Sequence, residues 1–178
     1  MSAITLEQRM QRVRALVCDV DGVLTDGALH YTDAGEIKSF SVADGFGIKL
    51  AQQAGWQVAF LTARGGPAVV RRAHELGVHL ETGQRKKGQA LVALAQRFDV
   101  PLESVAFIGD DWLDLPGMSR AGLAVAVANA AAAVKARAHW CVASRGGNGA
   151  VREAIETILE AQGKLAPLLE RYAAEEGL

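Results

Sequence analysis

Residues 16–27 read Leu-Val-Cys-Asp-Val-Asp-Gly-Val-Leu-Thr-Asp-Gly, and this stretch decides the fold. The apolar run before Asp19 predicts a buried strand that stops abruptly. Two carboxylates, Asp19 and Asp21, stand at its end, with Gly22 directly behind them. Like charges this close repel and are costly to bury, so they need a cation, a proton or both. Because Mg²⁺ prefers carboxylate, carbonyl and phosphate oxygens, the stretch predicts a metal site; the alternative is a plain Asp–Gly turn that ends the strand.

Length and composition indicate one globular domain. Half of the 178 residues are hydrophobic and 22% are charged, with a net charge of −1, which argues against a nucleic-acid or anionic-membrane surface as the main partner. No segment has the length and hydropathy of a membrane span or a signal peptide. We therefore expect a cytoplasmic protein with a domain over residues 1–162, a C-terminal tail over 163–178, and Cys18 and Cys141 as a reduced, buried pair.

Strand patterns alternate with helical patterns along the rest of the chain. This alternation predicts an α/β fold, a parallel sheet covered by helices on both faces. Asp44 and Pro67 are predicted to start helices, and an Ala-rich helix is expected after Asn129. The other expected elements are a β-hairpin over 28–40, strands at 56–61, 78–80, 105–108, 123–127 and 140–142, and helices ending near residues 98, 121 and 161.

Functional groups follow three of these predicted strands. Asp19 and Asp21 end the first, Thr62 ends the second, and the pair Asp110 and Asp111 ends the third, with a lysine loop between the last two. In an open parallel sheet, ligands bind beyond the carboxyl ends of the strands. The order Asp-x-Asp, Thr, Lys, Gly-Asp-Asp on a βα layout is more specific than any of its parts.

The segment from Asp19 to Thr25 resembles the DxDGxxT signature of the haloacid dehalogenase superfamily, which consists mostly of phosphatases. With Asp26 and Gly27 added, it resembles one capless branch, the 3-deoxy-D-manno-octulosonate 8-phosphate phosphatases. The resemblance extends over about residues 16–164. It implies a Rossmann-like haloacid dehalogenase fold with a small β-hairpin and no cap domain.

The resemblance also implies a mechanism. Asp19 would attack phosphorus to give an aspartyl-phosphate, while Asp21 would protonate the leaving alkoxide and then deprotonate water. Mg²⁺ would be held by the Asp19 carboxylate, the Asp21 backbone carbonyl and Asp110. Lys87 would offset the charge of the phosphate dianion, and Thr62 would hydrogen-bond the transferring phosphoryl group.

Two neighbouring assignments stay open on the sequence alone. Lys86 and Lys87 are adjacent, and alignment of the preceding Gly-Gln pair with the family's loop favours Lys87. Asp111 and Asp114 are expected to orient metal-bound water. For Asp114, a first-turn carboxylate favoured by the helix dipole is an equal alternative.

The expected substrate contacts come from three places. Arg64 and Arg72 match positions that would meet a carboxylate or phosphate, to which a guanidinium binds with two parallel hydrogen bonds. A solvated helix face is the alternative for Arg72. The third place matches a family segment that contacts the sugar acid, although the family usually has Asn and Arg where this chain has Ser and Ala: Ser41, Val42, Ala43, Asp44 and Gly45.

The resemblance implies a Mg²⁺-dependent phosphatase that converts 3-deoxy-D-manno-octulosonate 8-phosphate to the free sugar acid and phosphate, in lipopolysaccharide precursor synthesis. The alternatives are a phosphatase for a nine-carbon keto-deoxy sugar acid phosphate, and a non-enzymatic phospho-acceptor signalling or assembly module. The resemblance implies that four subunits associate through the hairpins and that the tail folds over a neighbour's site. The alternative for the tail is a frayed terminus with no role. Pro167 is expected to interrupt any helix in the tail, and the glycine-rich residues 145–149 either form a plain turn or place a helix N-terminus near an anion.

Overall fold

A six-stranded parallel sheet forms the centre of the molecule. The computed structural model describes residues 4–33 and 35–175. The strand order is β5-β4-β1-β6-β7-β8, and β2 and β3 form a separate antiparallel hairpin. The strands are β1 (Ala15–Cys18), β2 (His30–Thr32), β3 (Gly35–Ile37), β4 (Gln57–Leu61), β5 (His79–Glu81), β6 (Val105–Gly109), β7 (Leu123–Ala126) and β8 (Trp140–Cys141).

The first strand lies in the middle of the sheet because all four of its residues are apolar and completely buried. In register, Cys18 lies between Phe60 of β4 and Ile108 of β6. The three strands are parallel, so the residues that follow them emerge at one edge of the sheet. Those residues are Asp19, Thr62 and Asp110.

Helices cover both faces of the sheet. On one face of the sheet α2 packs against α7, and on the other face α4 packs against α5. The chain runs from β1 through β4 to β5 in one direction across the sheet, and through β6 and β7 to β8 in the other. Because each crossover is right-handed, the two directions place their helices on opposite faces. The helices are α1 (Leu6–Gln11), α2 (Val42–Gln53), α3 (Pro67–Leu76), α4 (Lys87–Arg97), α5 (Leu115–Met118), α6 (Ala132–Lys135), α7 (Ala150–Ala161) and α8 (Leu165–Glu175).

Several local predictions were wrong where tertiary contacts override local patterns. Ser41 caps α2 through its hydroxyl, and Asp44 lies buried in the first turn instead. The Ala-rich helix is only the four residues of α6, because the chain before it bonds to the Asp110 carbonyl through the Ala131 N–H. Cys141 is exposed on the edge strand β8, so the two cysteines are not a buried pair.

The tail forms a helix, contrary to the expected interruption. Pro167 is the third residue of α8, and the first turn tolerates proline because its N–H groups have no partner within the helix. Leu168 is buried, and the Tyr172 ring meets Phe46 edge-on at 5.3 Å between ring centroids. The Tyr172 hydroxyl also accepts a 2.8 Å hydrogen bond from Gln53. Residues 176–178 lie outside the described part.

The chain has no cap domain in its described residues. Between β1 and α2 it forms only the loop that follows β1 and the hairpin of β2 and β3. Nowhere in the described ranges does a helix reach the length and apolar character needed to cross a membrane.

Candidate active site

The ends of three neighbouring strands converge on one cleft of about 380 Å³. Asp19 follows β1, Thr62 follows β4 and Asp110 follows β6, so the sheet brings together residues that are far apart in sequence. The cleft is lined by Asp19, Asp21, Gly27, Thr62, Ala63, Arg64, Arg85, Lys87, Asp110, Asp111 and Leu113.

Lys87 is the cation at the centre of the cleft. Its Nζ lies 2.7 Å from Asp19 Oδ1 and 2.6 Å from Asp114 Oδ1, and only 1% of its side chain is exposed. Lys86 precedes α4 and is exposed to solvent. The carboxylates therefore contact Lys87 and not Lys86.

Asp114 holds the site together from beneath. Its Oδ1 accepts a hydrogen bond from the Lys87 ammonium. Its Oδ2 accepts hydrogen bonds from the backbone N–H groups of Asp110 at 2.9 Å and Asp111 at 3.1 Å. Both oxygens are thus engaged by the protein, and the residue is completely buried. Asp114 fixes the lysine and the Asp110 backbone at the same time.

The buried charges shift the proton affinities of the site. Burial, followed by repulsion from Asp114, raises the pKa of Asp19 to about 7. Burial and the charges of Asp114, Asp19 and Asp111 raise the pKa of Asp110 to about 7. Burial opposes the charge of Lys87, but Asp19 and Asp114 outweigh it, so the pKa of the ammonium is raised. One buried cation therefore faces more than one carboxylate.

Asp21 faces the hairpin. Its Oδ1 pairs with the Lys38 ammonium, and its Oδ2 lies 3.7 Å from Arg64 Nε. Glu36 bridges the same two cations, at 2.6 Å from Lys38 Nζ and 2.7 Å from Arg64 Nη2. No sequence pattern predicts a role for Lys38 or Glu36, because their pairing depends on where the hairpin folds back.

Thr62 lies at the base of the cleft and is 1% exposed. Its hydroxyl donates to the Arg64 carbonyl at 2.9 Å and accepts the Arg64 N–H at 3.0 Å. This small turn explains how Arg64 comes to line the same cleft. Arg85, which sequence reasoning missed, lies two residues before Lys87 and lines it as well.

A curated relative matches the sequence of the chain along nearly its whole length. The chain is 44% identical over 161 residues to the 3-deoxy-D-manno-octulosonate 8-phosphate phosphatase of Haemophilus influenzae, covering 89% of each chain. The chain belongs to the 3-deoxy-D-manno-octulosonate 8-phosphate phosphatase family. Residues 78–155 also match the family model described as haloacid dehalogenase-like hydrolase.

Solved structures of this phosphatase family share the fold. The cobalt-bound H. influenzae phosphatase superposes with a TM-score of 0.87 at 43% identity, covering 89% of this chain and 94% of that one. The Moraxella catarrhalis phosphatase, solved with a magnesium ion, a phosphate ion and a KDO molecule, gives a TM-score of 0.90 at 38% identity, covering 93% and 97%. The expected haloacid dehalogenase fold is confirmed.

The donor set of this family member fits a hard divalent cation. Oxygens of Asp19, Asp110 and Asp114 lie within 4.8 Å of one another. Because both Asp114 oxygens are already engaged, Asp19 and Asp110 are the carboxylates left to face an ion. Asp110 Oδ1 is shielded from solvent and has no hydrogen-bond partner among residues 4–33 and 35–175. A buried carboxylate oxygen in this state calls for a cation, and an all-oxygen set suits Mg²⁺.

The other predicted substrate contacts lie outside this cleft. Arg72 donates to the Ser41 carbonyl at 3.1 Å and to Glu75 at 3.1 Å, in a neighbouring groove with Phe40. Val42 is exposed, and Gly45 lies so close to the Arg72 guanidinium that a Cβ there would overlap it. With Ala43 between them, these residues surround the start of α2. Their contact with substrate stays a prediction.

The anion at the N-terminus of α7 comes from the protein itself. Asp44 accepts the N–H of Arg152 at 2.8 Å and that of Gly149 at 3.3 Å. Burial raises the pKa of Asp44, although these N–H groups and Ser41 favour its charged form. The helix end after the glycine-rich segment is therefore occupied by a carboxylate from α2. Trp112 is 68% exposed beside the cleft.

Proposed function

We propose that the chain is a Mg²⁺-dependent phosphatase that hydrolyses 3-deoxy-D-manno-octulosonate 8-phosphate to the free sugar acid and inorganic phosphate. The observation that carries this proposal is the buried Lys87 between carboxylates at the carboxyl edge of the sheet, with Asp19 facing the cleft. The identity of the proposed substrate is taken from the names of the similar phosphatases. The place of the reaction would be lipopolysaccharide precursor synthesis.

In the first step, an Asp19 carboxylate oxygen attacks phosphorus while the bond from phosphorus to the sugar oxygen breaks. Asp21 gives its proton to the leaving alkoxide, and an aspartyl-phosphate remains. In the second step, Asp21 takes a proton from water, which attacks phosphorus and releases the Asp19 carboxylate. Lys87 lies 2.7 Å from Asp19, where its charge would offset repulsion between the nucleophile and the phosphate dianion.

We further propose that the Asp19 carboxylate, the Asp21 backbone carbonyl and Asp110 hold the metal. Bound there, Mg²⁺ would neutralise charge on the phosphoryl oxygens and orient them. Thr62 would hydrogen-bond the transferring phosphoryl group, which its position in the cleft supports. Arg64, also in the cleft, would meet the substrate carboxylate or phosphate.

The remaining substrate contacts are proposed with the assembly. Ser41 to Gly45 and Arg72 would bind the sugar acid outside the cleft. The enzyme would act in the cytoplasm. Its four subunits would form a homotetramer joined through the hairpins. The apolar side chains exposed on and beside the hairpin, Leu29, Tyr31 and Ile37, support association there. Light scattering is expected to give a mass four times that of the chain, and a monomer would contradict this part.

The test of function is phosphate release from a panel of sugar-acid phosphates, with Mg²⁺ and with EDTA. The eight-carbon substrate is expected to have the highest kcat/KM, and EDTA is expected to abolish turnover. Preference for a nine-carbon keto-deoxy acid phosphate would select that alternative. A stable phosphoprotein without phosphate release would instead indicate a phospho-acceptor signalling or assembly module.

A further inference from the structure

The glycine-rich segment, residues 145–149, packs directly on the loop that carries Asp19 and Asp21. Gly146 is buried so closely against Gly22 that a Cβ at Gly146 would overlap the Gly22 carbonyl. The neighbouring Gly147 donates its N–H to the Val23 carbonyl at 2.9 Å. Only a chain without side chains at these two positions approaches the loop this closely.

Gly22 meets Asp110 on its other side. A Cβ built at Gly22 would overlap the Asp110 carboxylate, and Gly22 has a φ of +94° that other residues rarely adopt. The result is a stack of three residues: Gly146 supports Gly22, and Gly22 supports the carboxylate of Asp110. Gly146 contacts the carbonyl side of Gly22, in the Gly22–Val23 peptide, which directly follows the Asp21–Gly22 peptide.

The stack is anchored at both ends. On the outside, Asn129 Oδ1 accepts the Gly146 N–H at 2.8 Å. On the inside, the Thr25 hydroxyl accepts the N–H groups of Gly22 at 3.4 Å and Gly27 at 3.2 Å. Gly22 is therefore held at its N–H by Thr25 and at its carbonyl by Gly146. The Asp21 carbonyl shares a peptide plane with that N–H, so its direction is held as well.

We propose that residues 145–149 are a positioning segment for the metal site: through Gly146 they set the Asp21–Gly22 peptide and the Asp110 carboxylate for the divalent ion. Asn129 is part of the same device, because it holds Gly146 in place. This inference rests on the proposed Mg²⁺-dependent function. Groups that orient metal ligands from outside typically change metal affinity by about 10- to 100-fold when they are altered.

The test compares two matched pairs of variants in the full chain. Gly146→Ala is paired with Gly149→Ala, which has a positive φ and no atom within 4 Å of a built Cβ, so it strains the same segment without reaching the loop. Asn129→Ala is paired with Asn148→Ala, an exposed position in the segment. The readouts are the Mg²⁺ dissociation constant by calorimetry, Tm in EDTA, and kcat and KM at saturating Mg²⁺.

Gly146→Ala is expected to weaken Mg²⁺ binding at least about tenfold, and Asn129→Ala to weaken it less. Both controls should bind Mg²⁺ like the wild type, even where Gly149→Ala lowers Tm. Equal affinities in all four variants, or losses that simply follow Tm, overturn the proposal. If Gly146→Ala does not fold, the asparagine pair decides. Wild-type protein that binds no Mg²⁺ contradicts the proposed function, whereas normal wild-type binding with unaffected variants contradicts the positioning role alone.

Discussion

Replacing Asp110 by Asn should stabilise the metal-free protein near pH 8 and strongly reduce its stabilisation by Mg²⁺. Burial and three neighbouring carboxylates raise the pKa of Asp110 from 3.8 to about 7. This is about three pKa units, or about 4 kcal/mol of cost for the ionised form at about 1.4 kcal/mol per unit. Since Asp19 shares in this repulsion, we expect about half to all of that, about 2–4 kcal/mol, to be recovered by the neutral amide.

The sign of the pH dependence follows from linkage. In EDTA, an unfolded Asp110 releases its proton near pH 4, while the folded one keeps it until about pH 7. Between these values the folded state binds more protons than the unfolded state, so wild-type stability falls as the pH rises through this window. The advantage of Asp110→Asn should therefore be full above about pH 7 and fade towards about pH 4.

Thermal unfolding in EDTA and in Mg²⁺, near pH 8 and near pH 4.5, measures both effects. For a chain of this length, about 2–4 kcal/mol corresponds to a Tm increase of at least about 4 °C. Saturating Mg²⁺ at about 100 times its dissociation constant should stabilise the wild type by about 2.7 kcal/mol and the variant by much less. A variant that is less stable than the wild type in EDTA near pH 8 would refute the argument from buried like charges.

Asp19→Asn should abolish turnover and phosphoenzyme formation, whereas Asp21→Asn should still trap phosphoenzyme from a substrate with a good leaving group. Rapid-quench labelling distinguishes the two variants, and normal turnover by either would contradict the mechanism. Lys87→Met leaves the buried carboxylates Asp19 and Asp114 without their cation and should cost about 3–5 kcal/mol in urea unfolding at neutral pH; an unchanged midpoint would mean that the lysine does not compensate them. Deleting residues 163–178 removes the buried Leu168 and should lower both Tm and kcat/KM while the oligomer stays assembled. Steady-state kinetics and light scattering on the truncated protein test this. Unchanged kinetics would mean that the tail contributes only to packing.

The centre of the site was predictable because it depends on short-range sequence patterns. An apolar run followed by carboxylates predicts a buried strand with a polar end, and parallel strands align such ends without any further information. Asp19, Thr62 and Asp110 meet for this reason alone. Lys87 was separable from Lys86 only by a family alignment, and the structure now gives the physical difference, which is burial of its ammonium beside two carboxylates.

The parts that the sequence did not predict depend on long-range pairing. Asp44 binds N–H groups more than a hundred positions away at the start of α7, so no local pattern distinguishes it from a helix cap. Asp114 has the position of an ordinary first-turn carboxylate, and its role appears only when α4 brings Lys87 against it. Lys38 meets Asp21 because the hairpin folds over the cleft. In each case the partner is chosen by packing, which periodicity does not encode.

The hairpin of β2 and β3 is attached to the cleft by charge and not by apolar packing. Its described strand residues are exposed except Glu36, which is partly buried, and the links to the cleft are ion pairs of Glu36 and Lys38 with Arg64 and Asp21. The Arg64 side chain is 46% exposed, and the screening length for such pairs shrinks from about 8 Å at physiological ionic strength to about 3 Å in 1 M salt. The Lys38 side chain is only 3% exposed, so its pairs with Asp21 and Glu36 are screened much less. Added salt therefore loosens the Arg64 contact with Glu36 first and leaves Lys38 as the link that holds the hairpin to the cleft.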